Sequence, residues 1–224
     1  MDRITEAFGW PFRDPEWLSK ILIIGLLFII PIVGWINGVG WMLNTMDNLR
    51  AGTQQLAPGN LSHLARGVNF FVVYLVYYLA LFIVYGVLAG LGGVLMAASS
   101  DSNNAALVVV GLFFQLVAYG WQLIASLAIL LALPAILLQT ERGGIGGGLN
   151  VVAVVRQVRV TFTQSLLAGL MLFVASFISA LGVFACCVGV LFTGAYATAM
   201  WAWIFRSYEL GSGPQPSPGQ LATT

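Results

Sequence analysis

The chain reads as an all-α integral membrane bundle. A short or re-entrant N-terminal helical hairpin precedes four full transmembrane helices, and both termini are cytoplasmic. Two observations predict this. Hydrophobic residues make up 59% of the sequence and charged residues only 8%, against roughly 25% charged in a soluble domain. The nine lysines and arginines fall between the apolar runs so that all can lie on one side of a bilayer, the side that retains basic loops. At 224 residues the chain has room for one membrane bundle and no separate soluble domain. A formal charge of +1 excludes nucleic acid as a partner attracted by bulk charge.

Residues 1–17 mix Arg3, Glu6, Arg13 and Asp14 with Phe8, Trp10, Phe12 and Trp17, and carry Pro11 and Pro15. Such a Trp-rich, Pro-punctuated stretch suits an interfacial collar. It lacks the basic start and cleavage site of a removed signal peptide.

The run 18–46 would extend about 43 Å as one helix, more than the ~30 Å hydrocarbon core. Pro31, Gly34, Gly38 and Gly40 interrupt it. A single crossing would put Arg13 and Lys20 opposite Arg50 and Arg66, so the expected structure is a hairpin turning within 31–40. Its helices cover about 18–30 and 35–48. Each arm spans only ~20 Å, and the exposed turn must be buried in protein or reach the far interface.

Residues 47–68 form a polar inner connection with Arg50, Arg66 and the sole histidine, His63, which reads as a solvated loop residue. The span 69–97 is ring-rich: Phe71, Tyr78 and Tyr85 repeat every seven residues, beside Phe70, Tyr74 and Tyr77. Aromatic packing explains that stripe, with an isoprenoid, quinone or pigment tail as the other reading. Gly86 and Gly90 form a GxxxG pair, with Gly93 beyond. These are helix-packing candidates, because a missing side chain lets a second backbone approach, in this bundle or on a partner. The loop near 99–104 holds Asp101 and no basic residue, which marks the outer side.

Residues 106–139 would measure ~50 Å as a helix, too long for one upright crossing and too short for two. Tilt, a bend near Gly120 or Pro134, or projection beyond the membrane absorbs the excess. The inner connection then carries Arg142, Arg156 and Arg159. Drawn as a helix, 149–163 places Val151, Val154, Val155, Val158 and Phe162 on one face. Arg156 and Arg159 fall on another, which makes them lipid-headgroup candidates. The alternation in 157–163 is also strand-like, but an open strand beside lipid would leave backbone groups unpaired. Helices 164–181 and 190–206 complete the bundle of 18–206. They are joined by an uncharged turn whose Cys186 and Cys187 read as small packing residues. A flexible tail, 207–224, follows.

No catalytic, metal or cofactor constellation is legible. The interiors of the proposed crossings lack Asp, Glu, Lys, Arg and His, which disfavours proton-coupled transport. Asn44, Gln115, Gln122, Ser126, Thr193 and Thr198 suit interhelical hydrogen bonds, or the lining of a path for a neutral solute. The glycines at 143, 144, 146, 147 and 148 lack the GxxxxGK[ST] pattern of a phosphate loop.

The runs AFGWPFRDPEWLSKILIIGLL, IPIVGWINGVGWMLNTMDNLRAG and LPAILLQTERGG resemble a prokaryotic family of polytopic membrane proteins, the domain of unknown function numbered 4013. The likeness covers about 7–205 and is most specific over 11–17. Members often carry a Leu-Pro-x-Trp acidic segment in the first inner loop. Here 55–60 reads Gln-Leu-Ala-Pro-Gly-Asn, without the tryptophan or the acids. The resemblance implies a membrane protein and carries no activity or functional residues.

The expected role is a non-enzymatic accessory or structural subunit of an inner-membrane complex, with a bioenergetic or photosynthetic assembly as one host class. Its partners are membrane lipid and other integral membrane subunits. A small transporter or channel for a neutral or lipidic solute is the alternative, and a lipid-binding membrane organiser is the third.

Overall fold

The computed structural model describes residues 2–102, 104–185 and 188–212. Cys186, Cys187, the tail 213–224 and the side chains of Arg3 and Asp101 lie outside the described residues. Among those described, every regular element is helical. Three helical stretches are long and apolar enough to cross a membrane: Leu64–Ser99, Ala105–Gly148 and Phe162–Phe184.

Helix α1 (Asp2–Gly9) runs into a 3-10 turn (Trp10–Arg13), and α2 (Trp17–Leu27) follows. Asp14 starts α2: its carbonyl accepts from Trp17 N–H at 3.1 Å and its carboxylate from Glu16 N–H at 2.8 Å. Part of the expected collar packs into the core. Trp10 is buried in the core, whereas Phe12 is exposed and packs edge-on against Trp17.

The hairpin exists, but it turns earlier than expected. Helix α3 is Val33–Arg50, so the reversal occupies 28–32 and the three glycines lie inside α3. Pro31 forces the break, because it has no N–H to donate to a helix continuing from α2. Ile32 then takes φ +66 and ψ −61, and Val33 N–H donates to the Pro31 carbonyl at 2.7 Å. That is a positive-φ γ-turn, a strained conformation for a β-branched residue. The glycines serve packing instead. A Cβ on Gly34 would strike the Leu27 carbonyl, and one on Gly38 the Phe28 ring. Ile29, Ile30, Ile32, Val33 and Trp35 leave the tip apolar and exposed.

Helix α4 (Leu64–Ser102) begins before 69, so Arg66 is helical. Helix α5 (Ala105–Gly148) includes Pro134 within its helical run and breaks at Gly143–Gly144, where Gly144 has φ +61. The helix thus continues past 139 and absorbs most of the expected glycine linker. Helices α6 (Val151–Val160) and α7 (Phe162–Leu181) follow, the first capped by the Asn150 side chain accepting from Ala153 N–H. The alternation in 157–163 is therefore helical. A 3-10 turn (Gly182–Ala185) precedes α8 (Val188–Ser212), which takes up 207–212 of the expected tail.

The chain divides into two compact units. In the first, residues 1–71 and 131–224, α8 packs against α2, α3 and α7. Its core gathers Trp10, Ile24, Phe28, Trp41 and Leu56 around Ala195 and Ala199. Small residues set the spacing: a Cβ on Gly25 would lie 2.9 Å from the Leu191 carbonyl. In the second unit, residues 72–130, Leu81, Ala125 and Ile129 pack beneath Tyr77 and Tyr78. Gly92 and Gly111 face each other there, and a Cβ on Gly92 would lie 2.8 Å from the Gly111 carbonyl.

Candidate functional site

One face of α3 is polar at helical spacing: Asn37, Trp41, Asn44, Thr45 and Asn48 fall within about 100° of each other. Residues 53–63 have no regular structure, and their backbone runs back along this face. Asn48 Nδ2 donates to the Gln55 carbonyl at 3.1 Å. The Trp41 indole donates to the Ala57 carbonyl at 2.8 Å, and Ala57 N–H donates to Thr45 Oγ1 at 3.1 Å. Asn37 closes the far end, donating to the Asn60 carbonyl at 2.8 Å and accepting from His63 N–H at 3.2 Å. The segment is a strap whose buried backbone groups are satisfied side chain by side chain, as irregular backbone away from water requires.

His63 locks the strap and is buried, not solvated. Its Nε2 faces the Pro58 carbonyl at 2.8 Å, and its Nδ1 meets Asn44 Nδ2 at 2.5 Å. A carbonyl can only accept, so Nε2 carries the proton and Nδ1 accepts from Asn44. Glycines let the helices close over it: a Cβ on Gly40 would fall on the His63 carbonyl, and one on Gly67 on the Ile36 carbonyl.

The N-terminus is fastened to the same strap. Buried Asp14 accepts from Leu56 N–H at 2.8 Å and from Lys20 Nζ at 2.8 Å, and Lys20 also donates to the Leu56 carbonyl. Burial by itself would raise the Asp14 carboxyl. The Lys20 ammonium and the N–H groups of Glu16 and Leu56 outweigh it and hold the pKa below its ordinary value.

Beyond the strap lies an ion-pair cluster that joins four helices. Arg50, at the end of α3, reaches Asp47 at 2.7 Å, Glu141 of α5 at 2.5 Å and Glu209 of α8 at 3.0 Å. Arg66 of α4 pairs with Glu141 at 2.6 Å and Asp47 at 3.1 Å, and Arg206 pairs with Glu209 at 2.9 Å. Burial would lower the Arg50 pKa, but Glu141, Glu209 and Asp47 raise it overall, so the guanidinium is held charged. Burial would raise Glu209, yet Arg50 and Arg206 bring it below its ordinary value. The cluster can clamp helix ends; it contains no nucleophile. Among the described residues no group of three or more His, Cys, Asp or Glu is placed to hold a metal ion.

The packing candidates Gly86, Gly90 and Gly93 have open space where a Cβ would stand. No described residue of this chain fills that space, whereas Gly92 and Gly111 bring α4 and α5 together. Arg156 and Arg159 are exposed on α6. The expected polar packing residues divide. Gln115 donates to the Ala89 carbonyl of α4 and Thr193 to the Ser179 carbonyl of α7. Gln122 donates to Ser126, and Thr198 to the Gly194 carbonyl, within their own helices. Asn44 serves His63.

The strap and the cluster escape motif reading because their partners are backbone carbonyls and distant helix ends. Traces are visible: the 3.6-residue spacing of Asn37, Trp41, Asn44, Thr45 and Asn48, and the i,i+3 pairs Asp47–Arg50 and Arg206–Glu209.

No curated protein and no solved structure matches the chain. The family described as "Protein of unknown function (DUF4013)" matches residues 23–188, well over half of the 224 residues. That segment holds α3, the strap and Glu141, and this chain of long apolar helices belongs to that family of unknown function.

Proposed function

We propose that this protein is a non-enzymatic accessory subunit of the inner membrane, docking another integral membrane protein against α4. The observation that carries it is the unused glycine stripe. Only 6% of the most apolar stretch of α4 is buried, and Gly86, Gly90 and Gly93 meet nothing within 4 Å. Glycine costs about 1 kcal/mol against alanine in a helix, and no close contact among the described residues offsets it here. Glycines spaced this way give their return when a second backbone reaches them. A partner helix crossing at that stripe supplies it.

In this reading the hairpin dips into the bilayer by its apolar tip, α4, α5, α7 and α8 cross fully, and both termini are cytoplasmic. The basic residues then share the inner side. A path for a neutral solute has less support, since the polar face of α3 is occupied by the strap.

Purification in mild detergent followed by native mass spectrometry tests the proposal. The wild type should co-purify with a second integral membrane protein. Gly86→Leu with Gly90→Leu should lose that partner while keeping the helical content and melting temperature of the isolated chain. Recovery of the isolated chain alone from wild-type membranes, under conditions that preserve known assemblies, would overturn it.

A further inference from the structure

The arginines whose side chains are described fall into two groups. Arg13, Arg50, Arg66 and Arg206, with Lys20, each pair with a carboxylate. Arg142, Arg156 and Arg159 do not: among the described residues none has an ion-pair partner, and all three are exposed. The sequence leaves them none nearby, since no Asp or Glu occurs between Glu141 and Glu209. Both of those acids are engaged by Arg50.

The unpaired charges stand beside exposed hydrocarbon. On α6 and just beyond it, Val151, Val152, Val155 and Phe162 are exposed, and Val160 reaches 81%; only Val154 of the helix is buried. Hydrogen bonds tie the helix to its neighbours at two points. Gln139 of α5 donates to Gln157 at 2.7 Å, fixing α6 beside the turn that carries Arg142. At the other end buried Thr161 meets Tyr208 of α8 at 2.8 Å. A tethered ten-residue helix that shows both guanidinium groups and bare valines matches a boundary where phosphate and acyl chain meet. An acidic soluble protein would satisfy the arginines and leave the valines wet.

We propose that α6, with the Arg142 turn, is a docking surface for the anionic headgroups of the surrounding bilayer. Each arginine contributes electrostatic attraction worth roughly fivefold in affinity near an anionic surface, and the valines seat the helix at the depth where phosphates are reached. The proposal rests on placement in a bilayer and is independent of the accessory role, because α6 is not the α4 surface.

The purified full-length chain, delipidated in mild detergent, is titrated with phosphatidylglycerol and with phosphatidylcholine, and bound lipids are counted by native mass spectrometry. The expected result is preferential retention of phosphatidylglycerol that weakens as salt rises. Combining Arg142→Gln, Arg156→Gln and Arg159→Gln should reduce the preference at least tenfold, and Arg13→Gln should leave it unchanged. Equal retention of the two lipids by wild type would overturn the proposal, as would a preference that survives the triple substitution. So would wild-type capture of an acidic soluble protein without lipid preference. Should the triple variant fail to fold, a wild-type preference that salt does not weaken is the overturning result.

Discussion

The Trp41 indole N–H donates to the Ala57 carbonyl at 2.8 Å, with both residues buried. A ring on a helix that reads as apolar is thereby committed to backbone sixteen residues later, and the same Ala57 returns its N–H to Thr45. Removing one partner strands the other away from water, which costs about 1–3 kcal/mol. Trp41→Phe and Thr45→Val should each lower the melting temperature in detergent and open residues 53–63 to protease. A protease-resistant strap in the double variant would refute its dependence on these bonds.

The charge cluster should behave as one unit. Arg50→Gln leaves Glu141 with Arg66 and Glu209 with Arg206, so each carboxylate keeps one partner. The expected loss is about 1.5–3 kcal/mol, the range for hydrogen bonds to charged groups. Combining it with Glu209→Gln should cost less than the sum of the separate effects, because the Arg50–Glu209 contact is counted in each. Additive losses by thermal unfolding would show the pair to be energetically idle.

Acid should loosen the fold through two carboxyls. Asp14 and Glu209 titrate below their ordinary values of 3.8 and 4.5 in the folded chain. Their stabilisation is therefore complete above those values and is lost as the pH falls through the lower folded ones. The melting temperature should show no fall from these groups between about pH 8 and 5 and should drop below about pH 4. Asp14→Asn should lower stability at neutral pH and flatten part of the acid decline. An unchanged decline in that variant would remove Asp14 from the account.

The hairpin tip carries strain that glycine can release. Ile32 sits at φ +66, a conformation that costs a non-glycine residue about 1–3 kcal/mol. Its side chain is exposed and contributes little packing. Ile32→Gly should raise stability, partly offset by the greater freedom of glycine in the unfolded chain. A lower melting temperature would mean that the isoleucine is held by contacts outside the chain, such as lipid at the tip.

Much of the architecture is legible before any coordinates. The apolar runs announce helices because a chain this poor in charge can satisfy its backbone only internally, and Pro31 breaks the first run because it has no N–H to donate. The hairpin's existence follows from the alternation of Arg13, Lys20, Arg50 and Arg66 with apolar stretches. Its turn was misplaced because glycine signals two things in sequence. Gly34, Gly38 and Gly40 read as a bend, yet they admit the Leu27 carbonyl, the Phe28 ring and the His63 carbonyl. The same ambiguity hides Gly92 and Gly111, which bring α4 and α5 into close contact.

Helical content and apolar spans are inscribed in the order of residues, since each depends on composition within a window of about twenty positions. The burial of His63, the strap along α3 and the joining of Arg50 to Glu141 and Glu209 belong to the folded chain alone. They bring together groups up to 159 positions apart, and only packing selects which donor meets which acceptor. A polar residue announces that it needs a partner, and the surrounding helices decide which one it receives.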